Sequence, residues 1–251
     1  MTNPLILLFF LLGMIFGSFF NVVGLRAPQK RSFASDRSIC PHCKNQLSWY
    51  ELIPILSYLF QLGKCRHCRS AISIMYPVIE LITGLLFAFS YIKLGFQVEL
   101  VTALLLMSLL VIIFVTDMKY MLIPNNVLLF FLPLLIFTRI INPLDPWWSS
   151  ITGALSGMVI IAIIILASRG GMGGGDMKLF GILGIVLGFD KTLLTLFLSC
   201  VLGAVVGLVL LLTKVIDRKQ AVPFGPYIVT AAVVAYFYGE SLLGWYFNHF
   251  S

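Results

Sequence analysis

Hydrophobic positions in this chain neither alternate nor recur on one helical face; they continue in long unbroken runs. Uncharged or nearly uncharged stretches cover 5–25, 71–92, 100–116, 123–138, 151–168, 179–189, 192–213 and 221–239. A helix of about 17–25 apolar residues crosses the roughly 30 Å hydrocarbon core of a bilayer, and most of these runs reach that length with their flanks. In lipid the backbone is satisfied only by helices or closed barrels, and runs this long suit helices. The pattern therefore predicts an all-α, polytopic membrane protein with about eight transmembrane helices. One of them is short or broken. Segment 179–189 offers 11 uncharged residues between Lys178 and Asp190, about 17 Å of helix. To span, it must borrow from the glycine-rich run before it, which draws Asp176 below the membrane surface.

Composition agrees with this pattern and charge gives it a direction. Of 251 residues, 60% are hydrophobic and 11% charged, too apolar for a soluble domain of this size. The net charge of +7 is what a nucleic-acid-binding protein could carry, but its placement argues against that partner. Residues 26–71 hold eight Lys/Arg and two acids, which suits a cytoplasmic loop facing anionic lipid or an acidic partner. With the N-terminus outside, fourteen cations fall on the cytoplasmic side and three, Lys93, Arg139 and Lys191, on the other. That is a strong positive-inside bias. Met1 to Leu25 has no cation and Arg26 follows the apolar run, the reverse of a cleavable signal peptide. Trp147 and Trp148 sit in the outer connection 142–150, where an interfacial aromatic belt is expected. Both Asp117 and Asp176 then lie near the cytoplasmic face.

Four of the five cysteines fall in the basic loop as Cys40-Pro-His-Cys43 and Cys65-Arg-His-Cys68. Two such pairs can wrap four thiolates around one structural Zn²⁺, and in a short loop with little apolar core the metal would supply folding energy. His42 and His67 are alternative ligands, but four thiolates already close the site. Cys200 stands alone in an apolar span and reads as a packing residue.

The run Arg169-Gly-Gly-Met-Gly-Gly-Gly-Asp176-Met-Lys178 joins flexible backbone to a carboxylate at a membrane span, where an acid is a functional candidate by default. Asp117, at the end of 100–116, is its natural partner. Alone, Asp117 reads as an interfacial charge and Asp176 as a helix cap. Together, on one face of the membrane and beside glycines that admit a substrate backbone, they point to aspartic proteolysis. Two neighbouring carboxylates do not both ionise readily, so one takes a proton from water while the other polarises the scissile carbonyl. The three histidines at 42, 67 and 249 form no serine-protease set, and there is no H-E-x-x-H. The GxxxG pairs Gly13/Gly17, Gly153/Gly157, Gly184/Gly188 and Gly203/Gly207 read as helix-packing positions.

An ordered set of segments resembles the bacterial type IV prepilin peptidases, membrane-embedded GxGD aspartic proteases. It comprises Gly17-Ser-Phe-Phe-Asn21, Arg26-Ala-Pro28, both cysteine pairs, Trp49-Tyr-Glu51-Leu-Ile-Pro54, Gly63-Lys-Cys-Arg66 and Tyr76-Pro77-Val-Ile-Glu80. Asp117 with Ile123-Pro124-Asn125, Gly173-Gly-Gly175-Asp176-Met-Lys178 and Pro223-Phe-Gly-Pro226 complete it. The resemblance implies that Asp117 and Asp176 cut the basic leader of prepilin or pseudopilin precursors on the cytoplasmic side, after a glycine. It also implies S-adenosylmethionine-dependent methylation of the new N-terminal amine, and a place among members serving type IV pili, competence or protein secretion. Gly24-Leu25 and Met75 depart from the family pattern, which commonly has bulkier residues and an Arg there. The expected organisation is a first transmembrane helix at 1–25, the zinc loop at 26–71 and a helical catalytic domain at 72–251. Glu51 and Glu80 are candidates for reading the leader's positive charge, and Gly173, Gly174 and Gly175 for admitting its backbone. No nucleotide fingerprint marks a methyl-donor site. Two other readings stand beside this one. A proton-coupled transporter would place its acids near mid-membrane, and an assembly scaffold would tolerate their loss.

Overall fold

The computed structural model describes residues 4–29, 38–168, 172–215, 217 and 222–250. Arg169 to Gly171 of the glycine run and the cations Lys30, Arg31, Arg37, Arg218 and Lys219 lie outside the described residues. The protein is all-helical, with no strand among the described residues. Its helices are α1 (Pro4–Arg26), α2 (Leu56–Phe60), α3 (Met75–Leu94), α4 (Val98–Tyr120), α5 (Asn125–Ile141), α6 (Ser149–Ala167), α7 (Gly174–Leu212) and α8 (Gly225–Phe250). Six of them, α1, α3, α4, α6, α7 and α8, are long and apolar enough to cross a membrane, and α5 is a shorter apolar helix. It is a membrane protein. The eight apolar runs of the sequence fall on these seven helices because α7 carries two of them.

The chain divides into two compact units, Met1–Val115 and Thr116–Ser251. In the first, α1 and α3 pack through glycine. A Cβ on Gly13 would meet the Thr83 carbonyl oxygen at 2.6 Å, and one on Gly17 the Glu80 Cα at 2.9 Å, so both positions require the missing side chain. Gly24 is equally constrained: a Cβ there would lie 2.6 Å from Val115 Cγ1. The departure from the family pattern at Gly24 is thus a packing choice against α4. Beyond α1 lie the cysteine loop, a 3-10 turn at Trp49–Leu52 and α2.

In the second unit α6 crosses α7 where two of the glycine pairs meet. Gly153 lies against the Gly184 and Gly188 backbone, and Gly157 against the Phe180 carbonyl. The Gly203/Gly207 pair differs. Gly203 faces Phe224, but a Cβ on Gly207 would meet nothing within 4 Å among the described residues.

Helix α7 runs for 39 residues with one non-helical position, Gly188 (φ 79°, ψ −179°). That break is the fold's answer to the short run 179–189. Left-handed φ is why glycine stands there. A broken helix in lipid must re-satisfy its freed backbone groups, and three side chains do so. Arg139 of α5, 8% exposed, donates to the Val186 carbonyl from Nε at 3.1 Å and from Nη2 at 2.7 Å. The Phe189 amide donates to Ser149 Oγ at 3.1 Å, and the Thr192 hydroxyl to the Gly188 carbonyl at 2.6 Å. A guanidinium at the carboxyl end of the first half also complements the helix dipole.

Candidate functional site

Asp117 and Asp176 both belong to the second unit. Asp117 occupies the last turn of α4, with 6% of its surface exposed. Its Oδ2 accepts a 2.7 Å hydrogen bond from the Gly225 amide. Gly225 is the first residue of α8, so the carboxylate sits at a helix N-terminus, where unpaired amides and the helix dipole favour negative charge. The partner must be glycine, since a Cβ there would fall 2.6 Å from Asp117 Oδ2 and 2.8 Å from its Cγ.

Asp176 is in the first turn of α7, 9% exposed. Helix α7 starts at Gly174, so it takes in the last two glycines and carries Asp176 into the buried layer. Oδ2 of Asp176 accepts from the Gly173 amide at 2.9 Å, the backward reach that an acid makes from the third helical position to the cap residue. Both acids therefore keep one oxygen on a glycine amide.

Three neighbours frame the pair. A Cβ on Gly175 would meet Ile123 Cβ at 2.9 Å, whereas one on Gly174 would meet nothing within 4 Å among the described residues. Gly175 is thus required for packing, and Gly174 borders open space. Lys178 Nζ donates to Asn125 Oδ1 at 2.9 Å, joining the start of α7 to the Ile123-Pro124-Asn125 turn. In the sequence, Pro223-Phe-Gly-Pro226 marks a helix entry and belongs to the family resemblance. The Gly225 amide under Asp117 is its physical content, and no spacing rule connects residues 108 positions apart.

The four loop cysteines come together in the first unit. Their sulfurs all lie within 4.8 Å of one another, with Cys40 and Cys68 Sγ 3.9 Å apart. A tetrahedral site with Zn–S bonds of about 2.3 Å has edges of about 3.8 Å, so this cluster could hold such a metal. The loop is two copies of one knuckle. Cys40 and Cys65 each accept, through the carbonyl, from the amide four residues on, Lys44 and Arg69. Both of those residues have positive φ, 60° and 57°. The Cys43 amide pulls the Cys40 thiol down to about 6, and the Ser70 hydroxyl pulls Cys68 down. Cys43 stands at about 11; the Asn45 amide lowers it, but burial and the adjacent Cys40 and Cys68 sulfurs outweigh that. His42 and His67 are not part of this group.

The two acids suggested for the leader's charge are buried and already engaged. Glu80 Oε2 accepts from the Ile55 amide at 2.8 Å, and Ile55 has φ 61°, a strained conformation for a β-branched residue. Glu80 thus clamps the end of the loop's turn onto α3. Glu51, 7% exposed, accepts from the Ser48 amide at 2.8 Å through Oε2.

Comparison with known proteins agrees with this layout. The profile of the Bacterial Peptidase A24 N-terminal domain matches residues 11–94, and that of the Type IV leader peptidase family matches residues 104–208. A prepilin leader peptidase/N-methyltransferase of Bacillus subtilis (strain 168) is 45% identical over 237 residues, covering 94% of this chain and 96% of that protein. Proteins of the same name from Aeromonas hydrophila and Stutzerimonas stutzeri are 34% and 33% identical, covering 97% and 98% of this chain and 94% and 95% of their own. No solved structure matches.

Proposed function

The chain belongs to the type IV leader peptidase family, and from that membership we propose that it is a membrane-embedded aspartic endopeptidase. It removes the basic leader of prepilin-like precursors at the cytoplasmic face, with its N-terminus outside, and then methylates the new N-terminal amine. Asp117 and Asp176 are its catalytic pair. What supports this reading is that two buried carboxylates from different helices of one compact unit each keep one oxygen on a glycine amide, and that Asp176 lies two residues from Gly174.

The chemistry follows from that arrangement. One carboxylate takes a proton from water as the water oxygen attacks the scissile carbonyl carbon. The other gives its proton to the carbonyl oxygen. Collapse of the tetrahedral intermediate breaks the C–N bond: the proton taken from water passes to the leaving amine, and the second carboxylate takes back a hydroxyl proton. The amide held by each aspartate fixes its orientation, which proximity catalysis demands. Gly174, with Gly173 before it, admits the substrate backbone, while Gly175 is taken up by its contact with Ile123. Acids capped at helix ends beside the membrane face fit a protease better than a proton relay.

The four cysteines hold a structural Zn²⁺ that folds the loop 26–71, separate from the helical catalytic part. The methyl donor, S-adenosylmethionine, supplies an electrophilic methyl group. The new N-terminal amine would take up that methyl group and lose a proton to solvent. A synthetic prepilin peptide incubated with the purified protein tests the whole reading by mass spectrometry. Cleavage after the leader glycine, with about 14 Da added to the mature N-terminus when S-adenosylmethionine is present, is the expected result. An intact peptide overturns the protease; cleavage without the increment overturns the methyl transfer alone.

A further inference from the structure

Exposed apolar side chains are ordinary on a membrane span, where lipid covers them. They are not ordinary on α2, whose five residues reach only about 7 Å as a helix and cross nothing. Leu56, Leu59 and Phe60 stand three and four residues apart, so they share one helical face, and they are 51%, 60% and 85% exposed. Leu62 follows at 84%, and Trp49, Leu52 and Ile53 before the helix are exposed as well. A run of uncovered apolar residues like this marks a contact surface.

Two observations identify what covers it. The first is depth. The Ile55 amide, immediately before α2, donates to Glu80 Oε2 at 2.8 Å. Glu80 is the sixth residue of α3, a helix long and apolar enough to cross the membrane, and about 7 Å of that helix precede it. Side chains on a helix lean toward its N-terminus, so the contact falls at the boundary of the span, in the layer where headgroups meet acyl chains.

The second observation is charge. Between residues 38 and 71 the loop carries Lys44, Lys64, Arg66 and Arg69, all exposed, against one acid, Glu51, which is buried. Lys64 comes two residues after Leu62. The Arg66 guanidinium lies 5.6 Å over the Tyr50 ring, next in sequence to the exposed Trp49. Cations bordering an apolar stretch suit an anionic lipid surface. A second copy of the loop would bring like charges together, and so would a basic peptide.

We propose that α2 is an interfacial anchor. The face formed by Leu56, Leu59 and Phe60 lies in the headgroup–acyl boundary of the bilayer, with Lys64 and Arg66 on anionic lipid phosphates. The cysteine loop is thereby held against the membrane between its two tethers, α1 and α3, instead of standing off in water.

The test uses the full-length, zinc-loaded protein in nanodiscs of phosphatidylcholine and phosphatidylglycerol, with Phe60→p-benzoylphenylalanine as a photoreactive probe. Illumination is expected to give an adduct with the mass of one lipid, mapped by mass spectrometry to the peptide that contains residue 60. The same probe at Leu155, 59% exposed in the span α6, is the lipid-facing control. Lys64→Glu with Arg66→Glu should lower the Phe60 yield about fivefold or more, the scale of one cation's attraction to an anionic surface. Zinc content checks that the loop is folded. Should that pair lose its zinc, added salt makes the same test on the parent protein by screening. No lipid adduct at Phe60 while Leu155 gives one, or a cross-link to a second copy or to an added prepilin peptide instead, overturns the anchor. A yield that neither charge reversal nor salt changes overturns the part given to Lys64 and Arg66.

Discussion

The Gly225 amide donates to Asp117 Oδ2 at 2.7 Å, and a side chain at residue 225 would occupy the space of that same carboxylate. One glycine thus orients a proposed catalytic acid and leaves room for it. Gly225→Ala is expected to displace Asp117 and slow leader cleavage by about 10²-fold, the scale set by ångström misplacements of catalytic groups. Circular dichroism and zinc content should match wild type. Full activity in this variant would show that Asp117 does not depend on the contact.

Gly175 presents a second close approach, to Ile123 Cβ at 2.9 Å. Gly175→Ala should reduce activity, and Ile123→Ala should relieve the clash. A double-mutant cycle on thermal stability is expected to give a coupling of about 0.5–3 kcal/mol. Additive effects would mean that the two residues do not press on each other.

Arg139 secures the break in α7 through two hydrogen bonds to the Val186 carbonyl. Arg139→Met should cost about 1.5–3 kcal/mol, the range for hydrogen bonds to a charged group, read as a lower unfolding midpoint in detergent. Lysine lacks the rigid fork of donors, so Arg139→Lys should recover only part of the loss.

How much of this was legible in the chain depends on distance along it. The helical runs, the cysteine cluster and the need for α7 to take in glycines before Asp176 all follow from neighbouring residues, and each reappears in the structure. The run 179–189 stopped at Asp190 because charge marks its end, yet the backbone breaks two residues earlier at Gly188, where φ rather than polarity decides. Arg139 read as an outer-face charge; its bond to Val186 links residues 47 apart, beyond any periodicity. Glu51 and Glu80 carried a charge signal, but not the local amides at Ser48 and Ile55 that they hold. The two cysteine knuckles are copies in hydrogen bonding although the residues after the second cysteines, Lys44-Asn45 and Arg69-Ser70, differ, because the backbone repeats.

For the cysteine loop, chelation of the metal should unfold residues 26–71 while the apolar helices persist. The expected signature is faster proteolysis of the loop with little loss of helical circular dichroism, and one zinc per chain before treatment. Unchanged proteolysis after complete metal removal would contradict the structural role.

The central claim is that Asp117 and Asp176 together perform peptide hydrolysis. The direct measurement is single-turnover cleavage of a prepilin peptide by Asp117→Asn and Asp176→Asn, in protein that retains its zinc and helical content. Each asparagine keeps the side chain's size and an oxygen for the Gly225 or Gly173 amide but can neither take nor give the proton. Both rates should fall by at least about 10³-fold, near the upper part of the range for losing a general acid or base. Cleavage at the wild-type rate in either variant would contradict the account.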